Sequence, residues 1–381
     1  MPHTYRALAI GAAVLCAIAL PARAENLTPD IQKILAEEKL DPAIMKGLDQ
    51  ELAVPPALLA AAKKEGKVQI RLQMSEQEFA GMSKTFSARY PGIELNYTRG
   101  IGRERAIAPL VAFQAGNYIA DIVAGYDTNY VDYRAANALE KINTLPAYAH
   151  LWPEMKTKAG TDGADKMNYW CLSYSTERVK PADLPKSWDD LITNPRWKNG
   201  KIGMYNASVA WLPQLRHVKG EAWLVDFLNK LVNEQHAQYR KETLAATNKL
   251  ISVGEFDIFA AVQDYVVDRD KRKGVPVAAD CPSPVPASAG YIGVFRGSPR
   301  VDAAKLFVNW YLSKEGQVAA YHYARQVPVN VELKGKEFLP FPDEIIGKKI
   351  VLRDETILAE GDHVDALWQK VWEAAGATKA R

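Results

Sequence analysis

Apolar positions recur along this chain at two alternating spacings. Val68 to Leu72 reads as a strand, Phe79 to Tyr90 as a helix, and Ile93 to Thr98 as a second strand that leads into the loop Arg99-Gly100-Ile101-Gly102. A helix from about Arg103 to Ala115, closed by Gly116, precedes a short strand at Asp121 to Ala124. Strands that alternate with helices of this length imply parallel pairing through crossover helices, an α/β fold. Upstream, Ile31, Ile34, Leu35 and Leu40, then Leu48, Leu52, Leu58 and Leu59 recur near helical spacing. A helical prelude from Leu27 to about Lys64 is therefore expected, stopped by Gly66.

The second half keeps the alternation. Met167 to Tyr174 reads as extended, Pro181, Pro185 and Pro195 punctuate the next stretch, and Lys201 to Met204 is a strand. Helices are expected at about Ser208 to His217, Gly220 to Asn233, Thr243 to Val253 and Asp264 to Lys273, with a strand at Phe256 to Ala261. Pro276 to Asp280 and Tyr291 to Phe295 read as strands around the turn Cys281-Pro282-Ser283-Pro284-Val285-Pro286. A helix Asp302 to Leu312 follows, and Lys314-Glu315-Gly316-Gln317 opens another. There is no internal repeat.

The N-terminus reads differently. Arg6 precedes an apolar run of 14 residues, Ala7 to Leu20, followed by Pro21 and Ala22-Arg23-Ala24. That is the order of a secretory signal peptide, with cleavage expected after Ala24. The run is shorter than the ~18 to 20 residues of a membrane span. Leu15 stands before Cys16 where a lipoprotein motif wants a small residue, so residues 1–24 are read as a cleaved leader rather than a lipid anchor. Losing Arg6 and Arg23 from the 48 Lys and Arg leaves 46 against 45 acids, a balance that points to neither nucleic acid nor a membrane surface. The remaining length exceeds what one core usually serves, so two lobes are expected. Export to an oxidising compartment makes Cys171 and Cys281 a disulfide candidate, with two buried thiols as the alternative.

Several segments carry a resemblance. Glu65-Gly66-Lys67-Val68, Phe86-Ser87-Ala88-Arg89-Tyr90-Pro91-Gly92-Ile93 and Ala120-Asp121-Ile122-Val123 look like the opening lobe of type 2 periplasmic binding proteins. Leu184-Pro185-Lys186-Ser187-Trp188-Asp189-Asp190-Leu191 and Trp197-Lys198-Asn199-Gly200-Lys201-Ile202 resemble the entry into the second lobe in the branch that carries ferric iron, putrescine and phosphonates. Ser298 to Val308 and Ser313 to Gln317 resemble its returning first-lobe helices, so the likeness runs from about Ala62 to Val329. It implies a two-lobed clamshell with two hinge strands: residues 62–168 in lobe 1, 172–280 in lobe 2, and 286–381 as the second part of lobe 1 with the C-terminal helices. The extension 25–61 is outside the family pattern and is expected to pack on lobe 1 or serve as a contact. The resemblance further implies a periplasmic, monomeric subunit of an ABC importer that hands a small solute to the permease subunits, with no cofactor. Cys171 and Cys281 each fall where the resemblance places a hinge strand.

In open α/β sheets ligands sit beyond the carboxyl ends of strands, near helix starts. On lobe 1 this selects Gln73 and Ser75 after the first strand, Arg99 and Arg103 around the second, and Tyr126 and Asn129 after the third. On lobe 2 it selects Tyr205, Asn206 and Ser208, then Thr243, Asp264 and Tyr265 at helix starts, while Tyr169 and Trp170 fall at a hinge. Ser208 and Thr243 have an ordinary reading as helix caps, and the tyrosines as core aromatics. The sharpest expectation is an anionic group held between Arg99 and the amides near Ser208, with Tyr126, Tyr205 and Tyr265 around the rest of the solute.

Ferric relatives carry adjacent tyrosines where this chain reads Gln263-Asp264-Tyr265-Val266-Val267, with one tyrosine. A hard trivalent cation wants several anionic oxygens. A small organic anion such as a phosphonate, phosphate ester or carboxylate is therefore favoured over ferric ion. Gly100-Ile101-Gly102 lacks the context of a dinucleotide fingerprint and reads as a tight turn, and the chain has no Walker loop, HExxH, CxxC or Gly-x-Ser-x-Gly. A non-enzymatic role is expected, with a secreted enzyme on the same clamshell as the other class.

Overall fold

The computed structural model describes residues 26–100, 104–126, 129–205 and 208–376. Ten strands build the sheet: β1 (Lys67–Leu72), β2 (Glu94–Arg99), β3 (Ile122–Ala124), β4 (Asp162–Ser175), β5 (Ile202–Tyr205), β6 (Gln238–Arg240), β7 (Ile258–Gln263), β8 (Val277–Asp280), β9 (Val285–Val294) and β10 (Ile350–Leu352). Their order is β2-β1-β3-β9-β4-β7-β5-β6, with β8 beside β4 and β10 beside β9. β1 runs parallel to β2 and β3, and β5 parallel to β6 and β7, so each half presents three aligned carboxyl ends. β4 joins the halves. It pairs with β9 as far as Tyr169 and with β7 from Trp170 onward.

Lobe 1 follows from the alternation in β1. Val68, Ile70 and Leu72 are buried, and helix Glu76–Arg89 covers that face with Phe79, Met82 and Phe86. Phe79 stacks on Tyr97 at 4.0 Å between ring centroids. The other face meets helix Glu104–Gln114, whose Ala106 and Leu110 pack with Val123 and Tyr133. Burying each Val, Ile, Leu, Phe or Met side chain among them contributes about 1.5 to 3 kcal/mol.

The prelude is not one helical run. It comprises helix Pro29–Glu37, a 3₁₀ turn Pro42–Met45, and helices Leu48–Glu51 and Pro56–Glu65. Pro42 lacks the amide a continuing helix needs, and Gly47 has a φ of +87°. Ile31, Ile34, Leu35, Met45 and Leu48 join the lobe 1 core. Buried Glu51 accepts the Lys314 amide at 2.7 Å, and Glu38 pairs with Arg325 at 2.6 Å.

One assignment of the chain is corrected. Residues 286–381 were expected in lobe 1, and helices Val301–Leu312 and Lys314–Ala324 do pack there. Helix Gly361–Ala374 instead lies on lobe 2, where Val364, Trp368 and Trp372 join Trp188, Trp211 and Leu228. Those three residues share one helical stripe and need an apolar partner. Tyr239 supplies part of it, with its ring 4.9 Å from Trp372. β10, paired to β9 at the hinge, carries the chain across. Arg134–Glu355 (3.0 Å) and Arg216–Glu360 (2.6 Å) pin the crossing segment to lobes 1 and 2.

Elements 4 and 9 of the sheet are also longer than their apolar runs indicated, and β6 and β10 were not anticipated. Cys171 and Cys281 are bonded at the hinge, with Cα atoms 4.4 Å apart. Among the described residues no helix is long and apolar enough to cross a membrane. The leader reading, residues 1–24, lies outside the described residues.

Candidate functional site

The carboxyl ends of β1, β2 and β3 place Gln73, Gly100 and Gly125 together on lobe 1. Gly125 has a φ of +69°, and a Cβ there would lie 1.7 Å from Gln73 Nε2 and 3.2 Å from Arg105 Nε. Gly100 likewise has no room for a Cβ, which would meet Arg105 Cγ at 2.2 Å. Gly100 therefore serves close approach by Arg105 rather than only a tight turn. Arg105 donates from Nε to the Gly125 carbonyl at 3.1 Å, and Nη2 donates to the same oxygen. Nη1 has no protein acceptor among the described residues. Lys166 Nζ donates to Gln73 Oε1 at 3.2 Å, which leaves the Gln73 amide NH₂ facing Gly125.

The charge of Arg105 reaches both lobes. Its charge acts on Tyr97 and Tyr133 in lobe 1 and on Tyr205 and Tyr265 in lobe 2. Burial pushes the Tyr205 hydroxyl up, and Arg105 pulls it back. Burial likewise raises Tyr265, opposed by Arg269 and Arg105 and reinforced by Glu78 and Asp264. One guanidinium thus lies within electrostatic reach of the ends of β5 and β7. A cation in the first turn of helix Glu104–Gln114 sits at the positive end of the helix dipole, an arrangement that an anion relieves.

The sequence-selected residues divide. Gln73, Tyr205 and Tyr265 are in this assembly. Arg99 ends β2, exposed and with no ion pair among the described residues, and its charge acts on Tyr97. Ser75 instead caps helix Glu76–Arg89: it accepts from the Glu78 amide at 3.2 Å and its own amide donates back to Glu78 at 2.7 Å. Tyr126 is corrected from cleft to core. It is fully buried, stacks on Tyr133 at 4.5 Å and donates to Asp162 at 2.9 Å. Asp162 is a buried carboxylate raised by desolvation, and it needs the hydroxyls of Thr157, Tyr126 and Thr161. Asn129 is buried and bonded to Asp132 at the start of helix Tyr130–Ala135.

On lobe 2, Ser208 is corrected as well. It opens a three-residue 3₁₀ turn rather than a helix, and its hydroxyl donates to Asp365 of the C-terminal helix at 2.8 Å. Thr243 precedes helix Leu244–Ser252 with an exposed side chain that caps nothing. Asp264 is fully buried and accepts the Tyr169 amide at 3.2 Å, so it ties the cleft helix to the hinge. Burial pushes its carboxyl up to about 7, against hydrogen bonds from the Tyr169 and Tyr265 amides. Tyr169 and Trp170 are buried hinge residues, and Trp170 Nε1 donates to Ser288 at 3.0 Å. Arg103 and Asn206 lie outside the described residues.

Arg105 and Lys166 were missed. Arg105 sits two residues past the chosen Arg103, and the usable signal was Gly100, which leaves space for a side chain five positions on. Lys166 stands beside Asp165 just before the extended run that begins at Met167, with no local cue. Among the described residues no group of three His, Cys, Asp or Glu is arranged to hold a metal ion.

Comparison with known proteins matches residues 81–338 to the bacterial extracellular solute-binding protein family. The chain is 31% identical over 179 residues to an uncharacterized protein of Haemophilus influenzae, covering 44% of this chain and 49% of that one. It is 31% identical over 214 residues to the major ferric iron-binding protein of Neisseria meningitidis, covering 51% of this chain and 61% of the relative. The chain thus spans about half to three-fifths of the length of these curated relatives. Iron-bound HitA from Pseudomonas aeruginosa superposes with a TM-score of 0.67 at 20% identity, over 80% of this chain and 99% of HitA. AfuA from Actinobacillus pleuropneumoniae, with fructose-6-phosphate bound, gives 0.64 at 21% identity over 82% and 99%. With its family match over most of the chain and two half-sheets joined through β4, this chain belongs to the bacterial extracellular solute-binding proteins.

Proposed function

We propose that the chain captures a small oxyanion, a phosphate ester, phosphonate or carboxylate, between its lobes and delivers it to the permease of an ABC importer. The observation that carries this reading is Arg105, which acts on Tyr205 and Tyr265 across the cleft while keeping Nη1 uncommitted. An anion seated there touches a cation on one lobe and phenol donors on the other, so it binds the closed state better than the open one. Only such differential affinity can drive closure. Catalysis is not part of the reading, since binding and release suffice for transport.

Ferric ion is the second reading, favoured by the identity to ferric iron-binding relatives. In it Tyr265 would be a ligand. Native mass spectrometry of freshly isolated protein separates the two. An added mass of an organic anion supports the proposal, and an added mass of iron with no organic anion overturns it.

A further inference from the structure

Several buried or half-buried arginines elsewhere in the molecule hold carboxylates. Arg89 pairs with Glu315 at 2.5 Å, Arg178 with Asp257 at 2.9 Å, Arg300 with Asp121 at 2.7 Å and Arg325 with Glu38 at 2.6 Å. Arg71 does not. It is half-buried on β1, its Nε is shielded from solvent with no hydrogen-bond partner, and no acid pairs with it among the described residues. Arg71 is the penultimate residue of β1, two positions before Gln73, and lies opposite Thr98 of β2 and Val123 of β3. Val123 lies two residues before Gly125, whose carbonyl holds the Arg105 guanidinium, so the pairing of β1 with β3 brings Arg71 and Arg105 into one neighbourhood, and both charges act on the phenol of Tyr133.

A half-buried guanidinium beside another cation, with an unsatisfied shielded donor, costs stability in the empty protein. We propose that Arg71 is a specificity-determining residue, a second guanidinium behind Arg105 that selects a solute head group able to carry two negative charges. The inference rests on the anion reading above and deepens it. A fork of planar donors suits a tetrahedral oxyanion, and two adjacent cations favour a dianion over a monoanion.

The test uses inorganic phosphate and acetate as head-group probes, titrated calorimetrically into the full-length protein, Arg71→Gln and Arg71→Lys at about pH 8, where phosphate is chiefly the dianion. Wild type should prefer phosphate. Arg71→Gln should lose about ten- to hundredfold in phosphate affinity and less than about threefold for acetate, with Arg71→Lys between. Ligand-free Arg71→Gln should melt at the wild-type temperature or above it, an outcome that a structural arginine would not give. A lower melting temperature without ligand, or equal losses for both probes, overturns the assignment. Wild type and Arg71→Gln binding phosphate equally removes Arg71 alone, whereas wild type binding neither probe removes the anion reading and this inference together.

Discussion

The buried hydroxyl of Ser208, next to the end of β5, donates a 2.8 Å hydrogen bond to Asp365 on the C-terminal helix. That contact ties the lobe 2 side of the cleft to a segment more than 150 residues away in sequence, which also crosses from one lobe to the other.

Its two partners are not equivalent. Asp365→Ala strands a fully buried donor and should cost about 1 to 3 kcal/mol, whereas Ser208→Ala leaves a half-exposed carboxylate that water can reach and should cost less than about 1 kcal/mol. Urea unfolding of the two variants checks the order. Equal losses would show that the hydrogen bond is not what holds the helix.

The Cys171–Cys281 bond closes a loop with a sequence separation of 110. In the chain-entropy account such a closure stabilises the fold by up to about 4 to 5 kcal/mol. Denatured, unreduced protein should show no alkylatable thiol from these two residues, and the Cys171→Ser, Cys281→Ser double variant should unfold at a clearly lower urea concentration. Two reactive thiols would contradict the bond.

Asp264 sets a pH dependence. Burial raises its folded-state value to about 7, above the ordinary ~3.9 of the unfolded chain. Between those values the folded state holds the proton more tightly, so this contribution is fully present below about pH 4 and is lost as pH rises through about 7. Asp264→Asn keeps an acceptor for the Tyr169 amide and cannot ionise. Wild-type stability relative to Asp264→Asn should therefore fall between about pH 4 and pH 7, measured as the urea midpoint of each. A constant difference would mean that Asp264 is not held neutral.

Much of the scaffold was legible because its signals are local. The alternation in β1, the helix stop at Gly66 and the punctuated hinge around Cys281 each depend on a few neighbouring residues. The C-terminal helix was misplaced because Val364, Trp368 and Trp372 state that an apolar partner is needed, not which lobe supplies it. Tyr126 looked like a cleft residue because it follows β3 among polar residues. The demand that buries it comes from Asp162, which is 36 residues away in sequence. Arg105 escaped notice for a related reason: its reach across the cleft depends on Gly100, Gly125 and Gln73 meeting in space.

The central claim is that Arg105 holds an anion against the tyrosines of lobe 2, and calorimetric titration of fructose 6-phosphate and of ferric ion into wild type and Arg105→Gln tests it most directly. Removing a desolvated charge-assisted contact should cost about 1.5 to 3 kcal/mol, a roughly ten- to hundredfold loss for the phosphate ester in a variant that remains folded. Unchanged phosphate-ester affinity in Arg105→Gln, or saturable binding of ferric ion alone, would contradict the account.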